Sequence, residues 1–398
     1  MERWKLNLYT IWLTQVISLM SFNFGLPFLS FYIQDMGVTD PSNIKMFVGI
    51  LTSLTAVSMA IMSPVWGRLA DKHGKKLMLL RAIFAGGLVL ICIGFATNVY
   101  QLMFLRFLQG VFTGSATAAS ALVASSAPDN RLGYALGFLA TSSQVGSSVG
   151  PALGGMVAES FGYRNSFILG GVLLIVDFLL VLFLVQDSNT TSDIRIKINP
   201  VEEEQVQKKP FYGTWLLVGM VLIFFVRFTT TIFNPYMPIY VQEKLGTLQG
   251  ASRITGLVSG FIGIMTAMSG FILGSLSDRY NRVNLLKIYA FLSFLVALPL
   301  FLAQEIWTMA LIYGIMMFML GGIDPIIMSV SCARVDRNQR GRLFGLQGLI
   351  SAIGWGLSPL LGSVVSINFS VKAILLVIPM LLLGQFLIAT FFGKKLLS

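Results

Sequence analysis

Residues 49–67 read Gly49-Ile-Leu-Thr-Ser53-Leu-Thr-Ala56-Val-Ser-Met-Ala60-Ile-Met-Ser63-Pro-Val-Trp-Gly67. The small residues step by 4, 3, 4, 3 and 4, which puts them on one face of an α-helix. Adding 207 gives Gly256, Gly260, Gly263, Ala267, Gly270 and Gly274, the same stripe on a second helix. Two more segments recur at nearly the same distance. Pro27-Phe-Leu-Ser-Phe-Tyr32-Ile33 returns 208 residues on as Pro235-Tyr-Met-Pro-Ile-Tyr240-Val241. Gly133, Gly137, Gly146 and Pro151 return, again 208 residues on, as Gly341, Gly345, Gly354 and Pro359. Three separated segments at one offset make an internal repeat, and the repeat dictates the architecture.

What repeats is a set of apolar helices. The chain has 398 residues, 55% hydrophobic and only 11% charged, where a soluble domain carries roughly a quarter charged residues. So little charge cannot cover so much apolar surface unless lipid is the solvent. A spanning helix needs about 20 apolar residues. Twelve such runs lie near 7–34, 46–66, 77–97, 100–125, 133–158, 165–186, 213–240, 253–276, 285–303, 306–331, 342–366 and 371–392. Alternation with period 2 is absent, which argues against a membrane barrel. The expected fold is an all-α membrane protein of twelve transmembrane helices in two parallel six-helix pseudo-repeats. Its parts are an N-terminal half (1–187), a cytoplasmic linker (188–212) and a C-terminal half (213–398). The linker is polar and charge-rich, with Glu202-Glu-Glu204 and Lys208-Lys209. Six spans per unit make the halves parallel, related by an axis along the membrane normal.

The net charge of +11 is not a nucleic-acid signature. With the N-terminus inside, 21 of the 28 basic residues fall in cytoplasmic segments, among them Arg68, Lys72, Lys75, Lys76, Arg282 and Arg334. The positive-inside rule then places both termini in the cytoplasm of a cell-membrane protein. Cys92 and Cys332 have no paired spacing and read as packing residues. His73 is the only histidine, so no histidine metal site is expected, and no cofactor signature of the Walker type appears. The first apolar run is long enough to remain in the membrane rather than be cleaved.

Short motifs sharpen the reading. After the second span comes Gly67-Arg-Leu-Ala-Asp71-Lys-His-Gly74-Lys75-Lys76, with a reduced copy, Gly274-Ser-Leu-Ser-Asp278-Arg279-Tyr-Asn-Arg282, after the eighth. In the copy Asn281 replaces the second glycine, a change that fits because Asn also accepts left-handed backbone angles. The fourth span holds Arg106-Phe-Leu-Gln-Gly110, and the fifth holds Gly137, Gly146, Gly150-Pro151 and Gly154-Gly155. The first pattern resembles the cytoplasmic signature of the major facilitator superfamily. The second resembles its R-x-x-x-G motif, and the third resembles the G-x8-G-x3-G-P-x2-G-G motif of its antiporters. Across essentially the whole chain the resemblance is to the twelve-span drug:proton antiporters. It implies a proton-coupled antiporter that exports lipophilic drug-like compounds by alternating access; no enzyme is expected either, since the sole histidine sits in a loop with no nucleophile arranged beside it. It also implies a gating role for Gly67, Asp71, Gly74, Lys75, Gly274, Asp278 and Arg279, with Asp71 meeting the other half near the start of the eleventh span.

Ionisable residues inside spans are expensive and mark function. Here they are Arg106, Asp177, Arg227 and Asp324. The resemblance places the first, fourth, seventh and tenth spans around the cavity, so Arg106, Arg227 and Asp324 form the natural trio; it ties Arg106 to proton coupling, with a structural salt bridge as the alternative, and Asp324 is the expected proton carrier. Asp177, on the sixth span, is either a second proton site or held by a structural partner. The first span lacks the acidic residue that some drug antiporters use and offers Gln15 and Asn23 instead. Cavity contacts are expected from Asn23, Phe24, Phe112, Phe224, Arg227, Phe228, Asn234 and Met317. The expected partners are a small lipophilic substrate, protons and the bilayer, with the chain acting as a monomer. Export of one specific metabolite, and a non-transporting receptor with the same fold, are the competing readings.

Overall fold

The computed structural model describes residues 3–128, 131–185, 213–276, 280–332, 334–335 and 340–393. The expected linker lies outside the described residues. Sixteen helices are described: α1 (Arg3–Gly25), α2 (Leu29–Asp35), α3 (Pro41–His73), α4 (Lys75–Gly94), α5 (Val99–Phe112), α6 (Ser115–Ser126), α7 (Leu132–Phe161), α8 (Tyr163–Leu184), α9 (Thr214–Thr231), α10 (Met237–Leu245), α11 (Ala251–Leu276), α12 (Arg282–Ala297), α13 (Ile306–Gly321), α14 (Ile323–Cys332), α15 (Arg340–Asn368) and α16 (Ile374–Phe392). No strand occurs among the described residues.

Four expected spans, the first, fourth, seventh and tenth, are each built from two helices. The breaks have local causes. Pro27 sits in a 3-10 turn between α1 and α2, and Pro235 in another between α9 and α10. A proline removes one backbone donor and crowds the preceding turn. Gly114, at φ 138°, separates α5 from α6, an angle open to glycine at little cost. Gly321-Gly322 separates α13 from α14. Pro27 and Pro235 are one repeat apart, as are Gly114 and Gly322.

Eleven segments of the described residues are long and apolar enough to cross a membrane. The expected fifth span, α7, falls short on apolarity, not length: its 30 residues reach about 45 Å. Four of its glycines, Gly146, Gly150, Gly154 and Gly155, face neighbouring helices instead of lipid. Cβ atoms added at Gly146 and Gly150 would meet the backbone of α1 at Val16 O (2.8 Å) and Met20 O (2.6 Å). One at Gly154 would run into the Phe24 carbonyl, and one at Gly155 would meet Ser252 O of α11 at 2.7 Å. Little hydrophobic drive exists between helices in lipid, so close backbone approach through small residues supplies the packing.

Helix α7 therefore packs on α1 of its own half and on α11 of the other, and α3 packs on α15 across the same interface. Among the described residues, the tightest contacts between the halves lie toward the end remote from the basic loops. Gly155 and Gly256 meet there, as do Gly263 and Ser148, and Gly49 and Ser363. Polar links cluster at that end too: Lys45 to Glu243 (3.7 Å), the Gly250 N–H to Glu159 Oε1 (2.7 Å) and Ser363 Oγ to Lys45 O (3.2 Å). Toward the basic end, Gly67 of α3, Gly137 of α7, Gly270 of α11, and Gly345 and Gly348 of α15 have nothing within 4 Å of an added Cβ. At that end each of the four interface helices presents a glycine to open space.

One expectation about the signature loops is corrected. Gly74 does take positive φ (95°) between α3 and α4. Asn281 does not: at φ −60° and ψ 115° it is an N-cap, its side chain accepting from the Val283 and Asn284 N–H groups. Capping, not left-handed backbone, is what the asparagine supplies. The Asp71 side chain and residues Asp278 and Arg279 lie outside the described residues, and the Gly274 surroundings do too.

Candidate functional site

A cavity of about 530 Å³ lies between the halves. Arg106, Arg227 and Asp324 all line it, together with Asn23, Pro151, Asn234 and Met317. Its other polar lining is hydroxyl and amide: Thr52, Gln144, Ser147, Thr230, Thr231, Ser259 and Thr266, with Trp355 the one aromatic side chain among the described residues. A recess of about 390 Å³ beside it shares Arg227, Asp324 and Pro325.

The trio divides in two. Arg227 Nη2 and Asp324 Oδ2 are 2.8 Å apart, a charge-assisted contact between α9 and α14. Asp324 stands in the first turn of the ten-residue α14, where unpaired N–H groups and the helix dipole favour a carboxylate. The Gly321-Gly322 break creates that helix start inside the membrane. Pro325 fits beside it because the first turn has no intrahelical acceptor for the missing donor. Arg227 is brought up by close packing of α9 on α15, since an added Cβ at Gly354 would lie 3.2 Å from Arg227 Cβ. Thr231 Oγ1 bonds Ser358 Oγ of α15 at 2.6 Å and fixes the same contact. The two side chains keep 46% and 29% of their surface exposed. An ion pair so exposed contributes about 1 kcal/mol or less to stability.

Arg106 is held differently. It is 3% exposed, and its partners are neutral: Nε donates to Leu51 O (3.3 Å) and Nη1 to Gln109 Oε1 (2.6 Å). The spacing of the R-x-x-x-G motif explains the reach. Gly110 lies against the Thr55 carbonyl and Ser58, so α5 sits close on α3. Arg106, one turn earlier on the same face, then spans to Leu51. Thr55 Oγ1 closes the contact by donating to Arg106 O at 3.0 Å.

Asp177 is placed away from the cavity. It is fully buried in α8 and accepts one hydrogen bond, from Ser18 Oγ of α1 at 2.6 Å. Among the described residues, its Oδ1 and both amide atoms of buried Gln15 have no hydrogen-bond partner. Gln385, one repeat on from Asp177, is also fully buried.

Of the aromatic candidates, none lines the cavity. Phe24 is buried against Gly154, the Phe112 ring lies tilted beside Trp66 (6.4 Å), and Phe224 packs on Phe228 (5.3 Å). Sequence reading missed the hydroxyl-rich lining and Trp355. The one available signal was Trp355 between Gly354 and Gly356, a large ring where the interface helix is otherwise trimmed to hydrogen. Among the described residues no group of three or more His, Cys, Asp or Glu could hold a metal ion.

Comparison with known proteins agrees with this geometry. The family model described as Major Facilitator Superfamily matches residues 11–322 and 219–395. The chain is 32% identical to the multi-drug resistance efflux pump PmrA homolog of Lactococcus lactis, over 93% of this chain and 90% of that protein. It is also 32% identical to the multidrug resistance protein MdtG of Escherichia coli O17:K52:H18, over 94% and 91%. Among solved structures, a bacterial homolog of the human lysosomal transporter Spinster, in an inward-facing and occupied conformation, superposes with a TM-score of 0.78 at 13% identity, covering 97% of this chain and 96% of that one. Its inward-facing and unoccupied form gives 0.77 at 14% identity, covering 99% and 98%. The chain belongs to the Major Facilitator Superfamily.

Proposed function

We propose that the chain is a proton-coupled antiporter that exports lipophilic drug-like compounds across the cytoplasmic membrane by alternating access. The observation that carries this reading is the partly exposed Arg227–Asp324 pair in the wall of a cavity between two halves. A proton on Asp324 cancels its charge and releases Arg227, and the loss of that proton restores the pair. The charge switch thus sits where a substrate arrives. The two multidrug-named relatives support the substrate class.

With both termini and the basic loops in the cytoplasm, the open end faces inward and the glycine contacts seal the outer end. The open space beside Gly67 and Gly137 supports an inward-facing state. In this reading Gly67, Asp71, Gly74 and Lys75, with Gly274, Asp278 and Arg279 in the second half, act when the inner end closes. The chain works as a monomer, because each copy contains a complete pathway.

A second reading, export of one specific polar metabolite, is favoured by the lining itself: Thr52, Ser147, Thr230, Thr231 and Asn234 outnumber aromatic rings there. One experiment decides both. Purified protein in proteoliposomes with an imposed pH gradient is tested against lipophilic cations, zwitterions and sugars. Gradient-driven movement of several lipophilic compounds is expected. Movement of one polar compound alone selects the second reading, and no gradient-dependent movement of any compound removes both.

A further inference from the structure

Gln34, at the end of α2, and Gln242, in α10, are 208 residues apart, which is the repeat distance of the chain. They are the same position in the two halves, and their side chains meet. Gln34 Nε2 donates to Gln242 Oε1 at 2.9 Å, and Gln242 Nε2 donates to Gln34 Oε1 at 2.9 Å. Two equivalent residues can touch in this reciprocal way only at the pseudo-two-fold axis relating the halves. We propose that Gln34 and Gln242 are the latch on that axis, made when the end remote from the basic loops is sealed and broken in every cycle that opens it. The proposal rests on the alternating-access reading above.

The side-chain chemistry explains why glutamine suits this place. A primary amide carries a donor and an acceptor in one plane, so it pairs with its own copy through two bonds. A carboxylate, an ammonium or a guanidinium facing its own copy would repel it. Gln34 is aimed by a further bond from its Nε2 to Ser30 O, one turn back, at 3.3 Å. Below the pair, Ile33 and Val241 are fully buried, again one repeat apart, and so are Tyr32 and, nearly, Tyr240. The latch therefore caps a dry layer. Lys45, paired with Glu243 and donating to Ser366 O at 3.3 Å, links the same end off the axis.

The test reads conformation, so it stands whether or not a substrate is found. Thr230→Cys, in a background with Cys92→Ala and Cys332→Ala, reports on the cavity through a membrane-impermeant maleimide added from the glutamine side. Removing the latch with Gln34→Leu and Gln242→Leu together is expected to raise that labelling rate at least about fivefold. Gln34→Cys with Gln242→Cys, joined by a thiol-reactive cross-linker, is expected to abolish labelling from that side while leaving it intact from the basic side, and reductive release restores it. Unchanged labelling in the leucine variant, or cross-linked protein still labelled from the glutamine side, overturns the latch. If the latch behaves as expected and no compound is transported, the gate stands and the drug-export reading falls.

Discussion

Gly256→Val is the sharpest test of how the two halves meet. A Cβ at position 256 would lie 2.5 Å from Pro151 O and 3.2 Å from Gly155 Cα, both on α7. Ordinary contact begins near 3.4 Å, so α7 and α11 must separate by about 1 Å, with more needed for the two methyls of valine. Overpacking of this kind costs about 1–3 kcal/mol. The cost falls only on the state in which this end is sealed, because the contact is absent when it opens. A differential of that size shifts the ratio of the two states roughly 5- to 150-fold. The assay is maleimide labelling of Thr230→Cys, in a background lacking Cys92 and Cys332, from each side of the membrane. Gly256→Val is expected to speed labelling from the sealed side by at least about fivefold. Gly137→Val is the internal control. Its site is open space here, so the variant is expected to favour the present state and to slow labelling from the sealed side. Equal behaviour of the two variants would refute the account of one closed and one open end.

Other outcomes follow from the site. Asp324→Asn is expected to abolish gradient-dependent transport in proteoliposomes at normal expression, and full retention would remove Asp324 from coupling. Asp177→Asn, in a fully buried site with Ser18 as its partner, is expected to leave gradient dependence intact while changing thermal stability, and loss of coupling would make Asp177 a proton carrier. Arg106→Leu strips the bonds to Leu51 O and Gln109 Oε1, so a melting-temperature loss worth about 1–3 kcal/mol is expected. Gly154→Ala drives a methyl into the Phe24 carbonyl on α1 and is expected to reduce folded yield through overpacking, which size-exclusion profiles would check.

The antiporter-type motif shows how legibility divided. Its glycines were readable as a stripe, but their two partners were not: Gly146, Gly150 and Gly154 face α1, whereas Gly155 faces α11 in the other half. Helical periodicity gives a face, never the helix that covers it. The same limit explains the aromatic candidates. Phe24, Phe112, Phe224 and Phe228 sit on the expected spans, yet their rings turn into helix contacts, because a few tens of degrees of rotation decides cavity against neighbour.

The sequence by itself determined the helices, their repeat and the ionisable residues among them. Hydropathy, small-residue spacing and a 208-residue offset are properties of local order along a chain. Only the tertiary structure decided that Arg227 and not Arg106 pairs with Asp324, that Asp177 lies away from the cavity against Ser18, and that Gln34 meets Gln242. Each depends on how one helix is turned and tilted against another. In a bilayer that choice is made by close backbone contacts among many small residues at once, and no single stretch of sequence records their sum.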